Sequence, residues 1–110
     1  MRRRCFRRWY GRLRRAFPGK LPPPSKVSVS FAVLKDAYAT VEMKKVKGKV
    51  VKAHIRIDRK IKDDAGQYIL AEFAHEMNHM IRPRMPHGRV FEHQVIDIKV
   101  ICEPKNISWY

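Results

Sequence analysis

Cysteine is nearly absent: Cys5 and Cys102 are the two in 110 residues, and they stand at opposite ends of the chain. That spacing excludes a disulfide framework and a four-cysteine zinc ribbon, and the expected setting is reducing and intracellular, cytoplasmic or nucleoid-associated. Acidic residues are scarce as well. Ten Asp and Glu face 25 Lys and Arg, a formal net charge of +15. No apolar run approaches the roughly 18 residues that a membrane-spanning helix needs. No apolar stretch follows the basic N-terminus either, so a classical secretory signal is not expected. Internal repeats are lacking, and the length suits one domain with one core.

What is there begins with charge, unevenly placed. Residues 1–20 carry Arg2, Arg3, Arg4, Arg7, Arg8, Arg12, Arg14, Arg15 and Lys20 with no acid. Phe6, Trp9, Tyr10, Leu13 and Phe17 recur among them at helical spacing, which predicts a short amphipathic helix ending before Pro18-Gly19. Leu21-Pro22-Pro23-Pro24-Ser25 is too proline-rich for helix or strand, so residues 21–26 read as a stiff linker. The division expected is a basic arm over 1–20, that linker, and a folded body over 27–110.

The body opens with strand patterns. Val27-Ser28-Val29-Ser30-Phe31 alternates apolar with polar, as does Ala37 to Met43. The run from Val50 to Asp58 alternates most clearly, with Ala53, Ile55 and Ile57 on one face and His54 on the polar face, where it reads as a surface histidine. Lys47-Gly48-Lys49 supplies the turn of an antiparallel hairpin. Asp63-Asp64 offers an N-cap for a helix from about Ala65 to Ile81, stopped by Pro83, with Leu70, Phe73, Met77 and Met80 as its apolar stripe. Gly88 to about Cys102 fits either a helix, through Phe91, Val95, Ile98 and Cys102, or a strand; the helix is favoured.

Chemistry is concentrated in Ala74-His75-Glu76-Met77-Asn78-His79. Two histidines four apart on a helix project from one face and can direct ring nitrogens at one metal ion. The glutamate beside the first reaches a water at that ion without ligating it, which is the HExxH arrangement of zinc hydrolases. A shuffled chain of this composition would contain about 0.01 such motifs. A catalytic zinc needs a third protein ligand and an open position. Arg82 and Met85 stand where a metzincin would have glycine and histidine, so that class is excluded. His87 is the nearest third ligand, returned by Pro83 and Pro86, while Glu92 or His93 would serve if the next helix packs antiparallel. Glu72, on the same helical face, either orients a ligand histidine or is a solvated surface group. Arg82, Arg84, Arg89 and Tyr68 are candidate oxyanion donors.

His75-Glu76-Met77-Asn78-His79 followed by His87-Gly88-Arg89-Val90-Phe91 resembles the SprT-like (Spartan-type) zinc metalloproteases, with HExxH and a third histidine in an HGxxF-type motif. The likeness covers roughly Val50 to Phe91, with a short connection between His79 and His87 and no zinc ribbon behind it. It implies zinc ligands at His75, His79 and His87 and a catalytic base at Glu76. With the strand and helix patterns above, the fold expected is a small α+β, zincin-like domain: a three-stranded antiparallel sheet packed against the active-site helix, with flanking N- and C-terminal helices. So compact a version would suit a virus or phage genome.

The function expected is therefore zinc-dependent hydrolysis of peptide bonds in a protein or peptide substrate. The arm adds a second expectation. Its arginines suit phosphates and its rings suit unpaired bases, so nucleic acid is a candidate partner. The same pattern would suit an anionic membrane or a targeting segment, or rings packed on the body with solvated arginines. The alternatives to a peptidase are a basic nucleic-acid-binding protein with a structural or degenerate zinc site, and a basic interaction protein with no metal.

Overall fold

The structure, a computed structural model, describes residues 3–61 and 67–104. In chain order it places α1 (Arg3–Ala16), β1 (Val27–Ala32), β2 (Ala39–Val46), β3 (Lys49–Asp58), α2 (Gln67–Ile81) and α3 (Arg89–Cys102), a small α+β arrangement. The Asp63-Asp64 cap and the helix start near Ala65 fall outside the described residues. No helix among those described is long and apolar enough to cross a membrane.

The sheet is mixed, which corrects the all-antiparallel sheet expected from the sequence. The strand order is β1-β3-β2, with β3 antiparallel to β2 and parallel to β1. The reason lies in β3, the longest strand. Val50, Ala53, Ile55 and Ile57 are all buried on it, so the centre of the sheet is its lowest-energy position. The hairpin to β2 closes as a two-residue turn with φ +52° at Lys47 and +79° at Gly48, values that suit the twist of paired strands. Residues 33–38 then carry the chain from β1 across the end of β3 to β2. Buried Asp58 holds that crossing. Its Oδ2 accepts from the Leu34 N–H at 3.3 Å, its Oδ1 from the Lys60 N–H at 2.8 Å, and its own N–H donates to the Tyr38 carbonyl at 2.8 Å.

One face of the sheet carries the helices. From α2, Ile69, Leu70, Phe73, Met77 and Met80 are buried in the core. On the other face His54 lies between Ser28 and Ser30 of β1, its Nε2 3.0 Å from Ser30 Oγ and its Nδ1 bonded to Ser28 Oγ. In α3, Phe91, Ile98 and Cys102 are buried at the helical spacing that favoured a helix there.

The aromatic residues of α1 belong to the same core. Phe6, Trp9, Tyr10 and Leu13 are buried, with Phe6 and Trp9 each 5.5 Å from the ring of Phe73 in α2. The Tyr10 hydroxyl donates to the Pro22 carbonyl at 2.6 Å and fixes the proline segment; burial, opposed by Arg14, pushes its pKa up to about 12. Glu103 just beyond α3 accepts from Trp9 Nε1 at 2.6 Å and from Arg8, and Arg12 donates to the Cys102 carbonyl. Two of the arm's arginines thus satisfy the end of α3, where orphan carbonyls favour cations. Arg7, Arg14 and Arg15 are exposed. Arg2, and the side chains of Arg3 and Arg4, lie outside the described residues.

Two outcomes follow. Trp9→Ala should cost about 3–5 kcal/mol of unfolding free energy, measured by chemical denaturation, because it empties a packed aromatic site. Burial disfavours the Glu103 charge, but the bonds from Trp9 and Arg8 outweigh it and hold the carboxyl below its ordinary 4.5. A depressed carboxylate stabilises above its unfolded value and loses that contribution as pH falls through the folded one. Glu103→Gln should therefore lower the melting temperature at pH 7 and leave it nearly unchanged at pH 3.

Candidate metal centre

Two stripes run along α2. The apolar one faces the sheet, and Glu72, His75, Glu76 and His79 follow a second line at steps of three, one and three, facing a cleft. Helical periodicity places these four together. His87 comes from the turn between α2 and α3. Pro83 ends the first helix, and Gly88 begins the second in a backbone conformation of φ +154° that is essentially reserved for glycine. A Cβ there would meet nothing within 4 Å, so the requirement is one of backbone conformation, not of space.

The three imidazoles converge. His79 Nε2 stands 3.2 Å from His75 Nε2 and 3.0 Å from His87 Nε2, and the three possible ligand atoms lie within 4.8 Å of one another. Each nitrogen offers one lone pair or one proton, so His79 Nε2 cannot satisfy both neighbours by hydrogen bonding. One cation accepting three lone pairs can. Tetrahedral zinc with Zn–N bonds of about 2.0–2.1 Å sets neighbouring nitrogens about 3.3 Å apart, close to the two spacings that His79 makes. These residues can therefore hold a metal ion, and the donor set fits zinc. Glu92 and His93 are exposed on α3 and are not part of the cluster.

Phe91 forms the floor. It is 2% exposed, and its ring centroid lies 4.8 Å from those of His75 and His79 and 4.9 Å from that of His87. Asn78, buried inside the motif, ties the helices together. Its amide donates to Gln94 Oε1 of α3 at 3.0 Å, and its Oδ1 accepts from Arg82 Nη1 at 2.6 Å. The Arg82 guanidinium also lies 5.3 Å from the centroid of the Phe17 ring. Arg82 is thereby committed to structure rather than to an oxyanion, and neither Arg84 nor Arg89 lines the cleft.

The electrostatics favour the neutral forms of His75 and His79. Burial, followed by the positive charges that His75 and His87 would carry, lowers His79 to about 4. Burial and then His87 lower His75. Glu76, 5% exposed, is raised to about 7 by burial first and by the Glu72 carboxylate second; Glu72 is itself raised by burial.

The cleft, about 540 Å³, is walled opposite α2 by Tyr38, Ala39, Thr40, Val41 and Met43. Tyr38 continues into an adjoining hollow with Ile61, Tyr68 and Glu72. Tyr38 and Thr40 were not legible as site residues, since no spacing connects them to a motif more than thirty residues later. The β2 alternation and the hairpin turn revealed a strand and its partner β3, but not that its start would face α2 across a cleft. No protein-family model matches the chain, and neither a curated protein nor a solved structure does so.

Gly88→Ala tests the turn. It should cost about 1–3 kcal/mol of stability through backbone strain. By displacing His87 it should also weaken zinc binding at least tenfold, read by competition with a chromophoric chelator. Unchanged affinity would separate the turn from the centre.

Proposed function

We propose that the protein is a zinc-dependent metallopeptidase, akin to the SprT-like enzymes that its His75-Glu76-Met77-Asn78-His79 and His87-Gly88-Arg89-Val90-Phe91 segments resemble. One observation carries this reading: three histidine nitrogens meet at the wall of an open cleft, with a buried carboxylate beside them and no fourth protein donor in the group among the described residues. Structural zinc sites are closed by four protein ligands, and hydrolytic ones keep a position open. That contrast favours a peptidase over a binding protein with a structural zinc.

His75, His79 and His87 would hold the metal. Zinc bound there supplies Lewis acidity, acidifying a water and polarising the scissile carbonyl. Glu76 takes the proton as water attacks that carbonyl and hands it to the departing amine. A carboxylate titrating near neutrality suits transfer in both directions. A bound dication would draw it lower, toward the base form. Asn78, through Gln94, keeps α3 and with it Phe91 and His87 in place. Among the described residues β2 is an edge strand that offers backbone groups to an extended polypeptide, and an added strand there would run beside the histidines. Tyr38 and Tyr68 lie where substrate side chains would sit.

Glu76→Gln should lower cleavage of a labelled unfolded protein at least a thousandfold while retaining one zinc per chain by elemental analysis. His79→Ala should lose the zinc as well. Full cleavage by the Glu76→Gln protein would refute the assigned proton route, and zinc-free wild-type protein of full activity would refute the metal.

A further inference from the structure

While Arg8 and Arg12 of α1 bond to the end of α3, the β2–β3 hairpin carries a second concentration of positive charge. Lys44, Lys45, Lys47, Lys49 and Lys52 are all exposed, and none makes an ion pair or hydrogen bond with another side chain among the described residues. No acid occurs from Met43 to Ile57, and Glu42 is already paired with Arg56 Nη1 at 2.6 Å. Lys44 and Lys52 stand directly opposite each other across the strands, where like charges are destabilising. The register shifts beside them, with Lys45 opposite Val50, so Val51 is left over as a bulge that increases the twist of the ribbon. Exposed Lys26 immediately precedes Val27, the partner of Ala53, and adds a charge at the same end of the sheet.

We infer that this hairpin is a binding ribbon for duplex DNA, contacting backbone phosphates without base preference. A two-stranded ribbon fits the major groove of B-form DNA, about 12 Å wide, and ammonium groups along both strands and the tip then face phosphates. The deep, narrow major groove of A-form RNA does not admit it. Single strands are held by stacking on aromatic rings, and residues 39–57 contain none, while Phe6, Trp9 and Tyr10 are buried. An anionic membrane would call for an apolar anchor, and the tip offers Val46 alone. Phosphate contact also relieves the Lys44–Lys52 repulsion, since the nearest acid in the ribbon, Glu42, is paired with Arg56. The inference relies on no part of the peptidase reading.

The test is anisotropy of a labelled 20-base-pair DNA with the full chain over a salt series. Five phosphate contacts predict a log–log slope of about −4.5, at about 0.9 per contact. The Lys45→Gln/Lys47→Gln/Lys49→Gln protein should lose about 2 to 3 of that slope, and the matching triple arginine variant should keep it, which separates charge from fold. Arg7→Gln/Arg14→Gln/Arg15→Gln on α1 should change the slope by less than about 0.5. An unaltered slope in the hairpin glutamine variant would overturn the inference. So would equal losses in the hairpin and α1 variants, tighter binding of a single-stranded 20-mer, or binding only to vesicles rich in phosphatidylserine.

Discussion

Phe91 lies under three imidazole rings at nearly equal distances, and the geometry of the centre depends on that contact. Two of those rings arrive one turn apart on a helix and would be neighbours whatever the rest of the chain did. The third comes from an exposed turn with little else to hold it. A buried aromatic at the first turn of α3 gives the turn a surface to rest on, and Gly88 supplies the backbone conformation that brings His87 over it. The Asn78–Gln94 bond then fixes how α3 lies against α2. Loosening any of these moves His87 first, because His75 and His79 are carried by the helix itself.

The chain resolves its excess of positive charge in two different ways. On α1 the arginines at positions 8 and 12 are consumed at the end of α3, by Glu103 and by the Cys102 carbonyl, while the rings between them enter the core. On the hairpin the lysines remain unbalanced, and two oppose each other across the strands. A charge with a buried partner is part of the fold. Exposed charges of one sign set close together raise the local potential and attract counter-charges from outside the chain.

The mixed sheet has a consequence for the cleft. With β3 in the centre, both β1 and β2 are edges, and the β2 edge is the one beside the histidines. Asp58, at the end of β3, holds the crossing from β1 to β2 and thereby Tyr38 at the mouth of the cleft. The residue that stabilises the topology also shapes the wall opposite the three histidines.

Local order was written in the sequence. The α1 rings, the β3 alternation, the α2 stripe and the His75–His79 pair all follow from periods of 3.6 and 2 that neighbouring residues impose on one another. So did the Lys47-Gly48 turn, whose positive φ values call for such a residue pair. Whatever depended on elements far apart in the chain was decided only in three dimensions. Whether β1 would lie beside β2 or β3 turned on β3 carrying more buried apolar residues than either neighbour. Whether the arm's rings would face nucleic acid or the core turned on Phe73, more than fifty residues away. The choice among His87, Glu92 and His93 as the third neighbour of the helical pair turned on where Phe91 and Gln94 dock α3, since a side chain's reach is set by packing and not by its distance along the chain.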